Sequence, residues 1–130
     1  MAYAAAVTVA VEVISGRRHY LVTIAETEAA AASEFTVPNL PQRGKIMSYK
    51  AKRTAGTGTT VDPIIGRSAT PTTATLDAIW ENGTAAGNID SFPGVQYYSS
   101  TGTIYGRSTP NNAAADHTIT TQILIVEGWH

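Results

Sequence analysis

The chain contains no cysteine, which excludes disulfides and thiolate metal sites and leaves the compartment open. Charge is scarce too. Asp, Glu, Lys and Arg make up 15% of the residues, against roughly 25% in an average globular chain. The 9 basic and 10 acidic residues nearly cancel, for a net charge of −1. No overall field therefore draws the protein onto nucleic acid or an anionic membrane. Long apolar runs are missing as well. Residues 1–14 are apolar but carry no basic n-region and no cleavage pattern, so they read as a strand and not as a signal peptide. No run approaches the ~20 residues of a membrane-spanning helix. A soluble chain with neither a membrane nor a nucleic-acid partner is expected.

What remains is small and neutral. The hydrophobic share is 43%, much of it alanine, and polarity comes from Thr, Ser and Asn. Neutral surface of that kind favours burial in an assembly over a long-lived monomer. At 130 residues the chain makes one domain, residues 1–130, long enough for a core without covalent staples.

Alternation sets the fold class. Val7, Val9, Val11 and Val13 fall on one side of an extended segment, with Ala6, Thr8, Ala10 and Glu12 on the other, the period of a half-buried strand. A turn at Ser15-Gly16-Arg17-Arg18 leads to a second run in which Tyr20, Val22 and Ile24 alternate with Leu21, Thr23 and Ala25. Together these predict a hairpin. Further strands are expected at 34–37, 45–53, 61–65, 95–98, 103–105 and 118–126. In the 45–53 strand, Ile46 opposes Met47, Tyr49 and Ala51. Pro63 confines its own strand to an edge, and 118–126, apolar on both faces at its end, suits a central position. The Ala-rich segment from Glu26 to Ser33 is too short for a docked helix. Leu76 to Glu81 fits a strand or a helical turn equally well. The expected architecture is all-β, an antiparallel β-sandwich or jelly roll with long loops and little helix.

Little in the chain carries chemistry. His19, His117 and His130 are not at metal-ligand spacing, and Asp62, Asp77, Asp90 and Asp116 form no calcium loop. Glu26 and Glu28 share a strand face, as paired catalytic carboxylates could, but they read as solvated residues at a strand end. Gly56 and Gly58 lack the third glycine and the lysine of a phosphate loop. Lys45, Lys50, Lys52 and Arg53 form a basic cluster, read as an edge strand defended against aggregation. Asn82-Gly83-Thr84 matches a glycosylation acceptor but reads as a turn. No enzyme, cofactor or metal is expected.

Several longer stretches resemble a known group. They are Tyr20-Leu-Val-Thr-Ile-Ala-Glu-Thr-Glu, Ser33-Glu-Phe-Thr-Val, Asn39-Leu-Pro-Gln-Arg-Gly-Lys-Ile and Gly58-Thr-Thr-Val-Asp-Pro-Ile-Ile-Gly. Toward the end come Ile104-Tyr-Gly-Arg-Ser-Thr-Pro, Asp116-His-Thr-Ile and Ile123-Leu-Ile-Val-Glu-Gly-Trp. Together they are similar to small all-β virion proteins of tailed bacteriophages, of the capsid decoration or cement type. The resemblance spans most of the chain, and its motifs are turns and strands without chemistry. It implies a homotrimer or other homo-oligomer that binds the major capsid protein or another virion protein. It also implies a place on the particle surface after synthesis in the host cytoplasm. A tail, neck or baseplate component and a carbohydrate-binding sandwich using Tyr97, Tyr98 and Trp80 are the alternatives. Tyr3, Tyr97, Tyr98 and Trp129 are the expected interface aromatics, since aromatic side chains anchor protein contacts.

Overall fold

Period-two patterning becomes strand pairing throughout. The computed structural model describes residues 4–28, 33–56, 63–67, 78–82, 88–108 and 117–128, and every regular element in them is a β-strand. In chain order these are β1 (Ala4–Ile14), β2 (Arg17–Glu28), β3 (Ser33–Val37), β4 (Arg43–Gly56) and β5 (Pro63–Gly66). They continue as β6 (Ala78–Glu81), β7 (Asn88–Ser91), β8 (Val95–Tyr98), β9 (Ile104–Ser108) and β10 (His117–Glu127). Among the described residues no helix is long and apolar enough to cross a membrane.

Two antiparallel sheets result. One runs β1-β2-β10-β4, with β7 and β8 both on the far side of β4; the other runs β3-β9-β5-β6. Taking β7 and β8 as one interrupted strand, β2-β10-β4-β7/β8 faces β3-β9-β5-β6 in the strand order of a jelly roll. β1 is added outside β2. The interruption falls at Phe92-Pro93-Gly94, where proline has no N–H for the ladder.

The hairpin β1–β2 closes through Ser15 and Gly16, both at positive φ (52° and 79°). That is the two-residue turn whose twist matches the flanking strands. Its register then runs unbroken from Ile14↔Arg17 to Ala4↔Thr27. Inward positions of both sheets supply the core, including Tyr20, Val22 and Ile24 from β2, Phe35 and Val37 from β3, and Ile123 and Ile125 from β10. As expected, β10 is central, between β2 and β4.

Several local expectations are corrected. Ile46 does not oppose Tyr49 and Ala51; all three are buried. Ile125 pairs with Ile46 but Leu124 pairs with Ser48, so Met47 is an extra residue, and this bulge resets the alternation. β5 lies between β9 and β6, so Pro63 does not mark an edge; as the first residue of its strand it leaves the ladder intact. β4 is likewise interior, so its lysines defend no edge. They project from the outer face, where Lys50 Nζ lies 3.8 Å from Asp90. Glu26 and Glu28 belong to β2 and Ala55 and Gly56 to β4, so both strands run past their expected ends. Ala78–Glu81 is a strand, which settles that ambiguity, and β7 was not foreseen.

The loops at one end of the sandwich are tied together by backbone. The Leu40 amide donates to Gly102 O (2.9 Å), the Ser99 amide to Gln42 O (2.7 Å), and Gln42 Nε2 to Ser100 O (2.8 Å). Buried Ser99 closes its own turn, its hydroxyl donating to Thr103 O at 2.7 Å and accepting from the Thr103 amide at 3.2 Å. Ser99→Ala leaves both backbone groups short of a partner. It is expected to cost about 1–3 kcal/mol in urea unfolding; an unchanged midpoint would show that water replaces the hydroxyl.

Candidate interaction surface

The titratable residues do not converge. Among the described residues no group of three or more His, Asp or Glu could hold a metal. His19 turns its Nδ1 toward Arg17 O, 3.1 Å away. Asp62, Asp77, Asp116 and His130 lie outside the described residues. Glu26 overturns its reading as a solvated carboxylate, being 1% exposed. It continues the inward series Tyr20, Val22, Ile24, and that parity was legible in the sequence. Its charge is felt at Tyr49, whose phenol is pushed well above its ordinary pKa. Burial is the main cause there, Glu26 adds to it, and a hydrogen bond with Thr121 opposes it.

The four expected interface aromatics separate. Tyr3 and Trp129 lie outside the described residues. Tyr97 is 1% exposed and its hydroxyl donates to Pro41 O at 3.0 Å; its ring is core, a correction to its expected place at an interface. Tyr98, the next residue along β8, necessarily faces the other way. It is exposed, with the Arg43 guanidinium 5.9 Å from its ring centre and its carbonyl accepting from Arg67 Nε at 3.0 Å. Trp80 packs against Tyr49, ring centres 4.8 Å apart. The trio Tyr97, Tyr98 and Trp80 therefore makes no stacking platform, because Tyr97 is buried and Trp80 is half-buried against the core.

The surface that sequence reasoning missed is the turn end of the β1–β2 hairpin. All four valines of β1 were expected to be half-buried. Val7 and Val9 do pack against the core, but Val11 and Val13, farther along the same face, are 54% and 65% exposed. On the opposite face Ile14 and Leu21 are 46% and 40% exposed. There, Ala10, Leu21 and Leu124 line a shallow groove of about 530 Å³ together with Glu12 and His19. The alternation of β1 gives the face of each valine but not how far the second sheet extends over it. The hairpin end also carries Glu12, Arg17, Arg18 and His19, so its four exposed large aliphatic side chains are interspersed with charge. Phe92 is a separate exposed aromatic, with Lys50 Nζ 5.4 Å from its ring centre.

The fold is an all-β jelly-roll sandwich with exposed aliphatic side chains at the β1–β2 hairpin end and, among the described residues, no assembled metal centre. No protein-family model matches the chain, and no curated protein matches it. Among solved structures, one titled "CBM4 structure and function" aligns over 94% of this chain and 78% of that one. The identity is 11% and the TM-score 0.38, a likeness too slight to carry any inference about this chain.

Proposed function

We propose that this chain is a structural protein of the bacteriophage particle, a capsid decoration or cement protein that binds and stabilises the head shell as an oligomer. Such a protein needs contact surface and no catalytic set. The observation that carries the reading is the exposure of Val11, Val13, Ile14 and Leu21 at the hairpin end, on a chain of only 15% charged residues. The strand and turn motifs resembling virion proteins support it independently. A jelly roll by itself does not choose, since the same fold serves viral shells and lectins.

The test uses purified head shells stripped of the protein. Wild type is expected to co-sediment with shells and to raise their disruption temperature. The double variant Val11→Asp/Val13→Asp is expected to bind at least tenfold more weakly while melting within a few degrees of wild type, since both side chains already face solvent. Binding to isolated tails but not shells would move the protein to the tail, neck or baseplate. Binding to a glycan array alone would make it a carbohydrate-binding module.

A further inference from the structure

We propose that β1 pairs edge to edge and antiparallel with β1 of a second copy, about a two-fold axis through Thr8. Among the described residues β1 pairs only with β2, so no described strand pairs with the other side of this 11-residue strand. Chains usually protect such an edge with Lys, Pro, a bulge or a very short strand. β1 has none of these: its register with β2 is continuous and Glu12 is its single charge.

The hairpin turn decides which backbone groups are open. A two-residue turn makes Ile14 and Arg17 a hydrogen-bonded pair. Strict alternation then directs the N–H and C=O of Val13, Val11, Val9, Val7 and Ala5 away from β2. Another strand matches such a row of alternate donors and acceptors group for group.

The sequence of β1 says which strand. Ala6-Val7-Thr8-Val9-Ala10 reads the same in both directions, so an antiparallel copy turned about Thr8 matches it position by position. Val7 then lies opposite the partner's Val9, both with outward-pointing backbone groups, so the hydrogen bonds are in phase. Ala5 lies opposite Val11 and Ala4 opposite Glu12, so no like charges meet. Thr8 lies opposite its own copy in a non-hydrogen-bonded pair, the closer kind, where paired threonines are favourable. The contact is isologous and closes on itself as a dimer.

Size sets the strength. In this register β1 pairs from Ala4 to Glu12, about 30 Å of strand, and a strip that long and about 10 Å across covers roughly 300 Å² on each partner. That is well below the ~1,200 Å² total at which stable interfaces begin, so the contact is a weak, transient one, expected to dissociate at roughly 10–100 µM. The inference shares with the proposed function only the premise of self-association. It is tested without shells, so its failure leaves shell binding standing.

Sedimentation equilibrium from 1 to 200 µM reads the dimer. Wild type is expected to show a monomer–dimer equilibrium. Thr8→Lys and Thr8→Glu, each placing like charges on the axis, are expected to weaken it at least thirtyfold. Thr8 is exposed, so both should melt close to wild type. An equimolar mixture of the two variants is expected to restore the dimer, and added salt to weaken that mixed dimer. Independently of any variant, amide exchange at Val7, Val9 and Val11 in wild type should slow as concentration rises, while exchange at Thr8 changes less. A wild type monomeric at 200 µM overturns the proposal. So does a dimer indifferent to both substitutions, a mixture that fails to reassociate, or exchange at Val7 and Val9 independent of concentration.

Discussion

Above pH 10 the protein is expected to lose stability by about 1.4 kcal/mol per pH unit for each of two buried phenols. Tyr49 and Tyr97 both have pKa values raised well above the ordinary tyrosine value, in each case chiefly by burial. For Tyr49 the negative charge of Glu26 adds to the effect, and for Tyr97 Tyr20 does. Tyr97 also donates its proton to Pro41 O, a bond that phenolate cannot make. A raised acid pKa means that the fold holds a proton the unfolded chain releases. The stabilisation is therefore complete below the unfolded value, near 10, and is lost as pH rises toward the folded values. The loss accumulates with each pH unit above 10 until the folded values are reached, against a total stability of only about 5–15 kcal/mol for a domain this size. Urea unfolding at intervals from pH 8 to 12 reads the slope. Tyr49→Phe and Tyr97→Phe should each remove about half of it, and the double variant subtracts what lysine titration contributes. A double variant that falls as steeply as wild type would assign alkaline unfolding to other groups.

The second large effect is expected from Gly106→Ala. Glycine inside a strand ordinarily weakens it, so alanine there is a stabilising exchange by propensity. Here the sign reverses. Gly106 lies opposite Phe35 in the β3–β9 pair, and a Cβ on it would overlap the Phe35 ring, which is itself buried. The ring must leave its place or the strands must part, at about 1–3 kcal/mol for alanine and more for valine. Phe35→Leu alone leaves a void and also destabilises. The combination Gly106→Ala/Phe35→Leu should cost less than the sum of its parts, because one change makes the space the other needs. Additive costs would place the strain elsewhere. Gly44 repeats the arrangement, its Cβ position 2.7 Å from the Tyr97 ring.

Such pairs also explain why Tyr97 was misplaced. Two adjacent tyrosines declare that one faces in and one out, but not which. Gly44 beneath the ring makes Tyr97 the inward one, and Gly44 is remote in sequence and adjacent only through the β4–β8 pairing.

Alternating side chains were enough to predict strands, a hairpin, a central β10 and an all-β sandwich, because side-chain direction in a strand is a local property of the backbone. The same parity run to its end would have placed Glu26 inside. Three outcomes belonged to the tertiary structure. The bulge at Met47 moved Ile46 to the core face, since a bulge is a relation between two strands and neither one encodes it. The burial of Val7 and Val9 against the exposure of Val11 and Val13 depended on how far the second sheet covers β1. The interior positions of β4 and β5 came from partners brought in by long connections. Outside the bulge, sequence determined which side chains share a face; strand pairing and the packing of two sheets decided which face is covered and which ends in solvent.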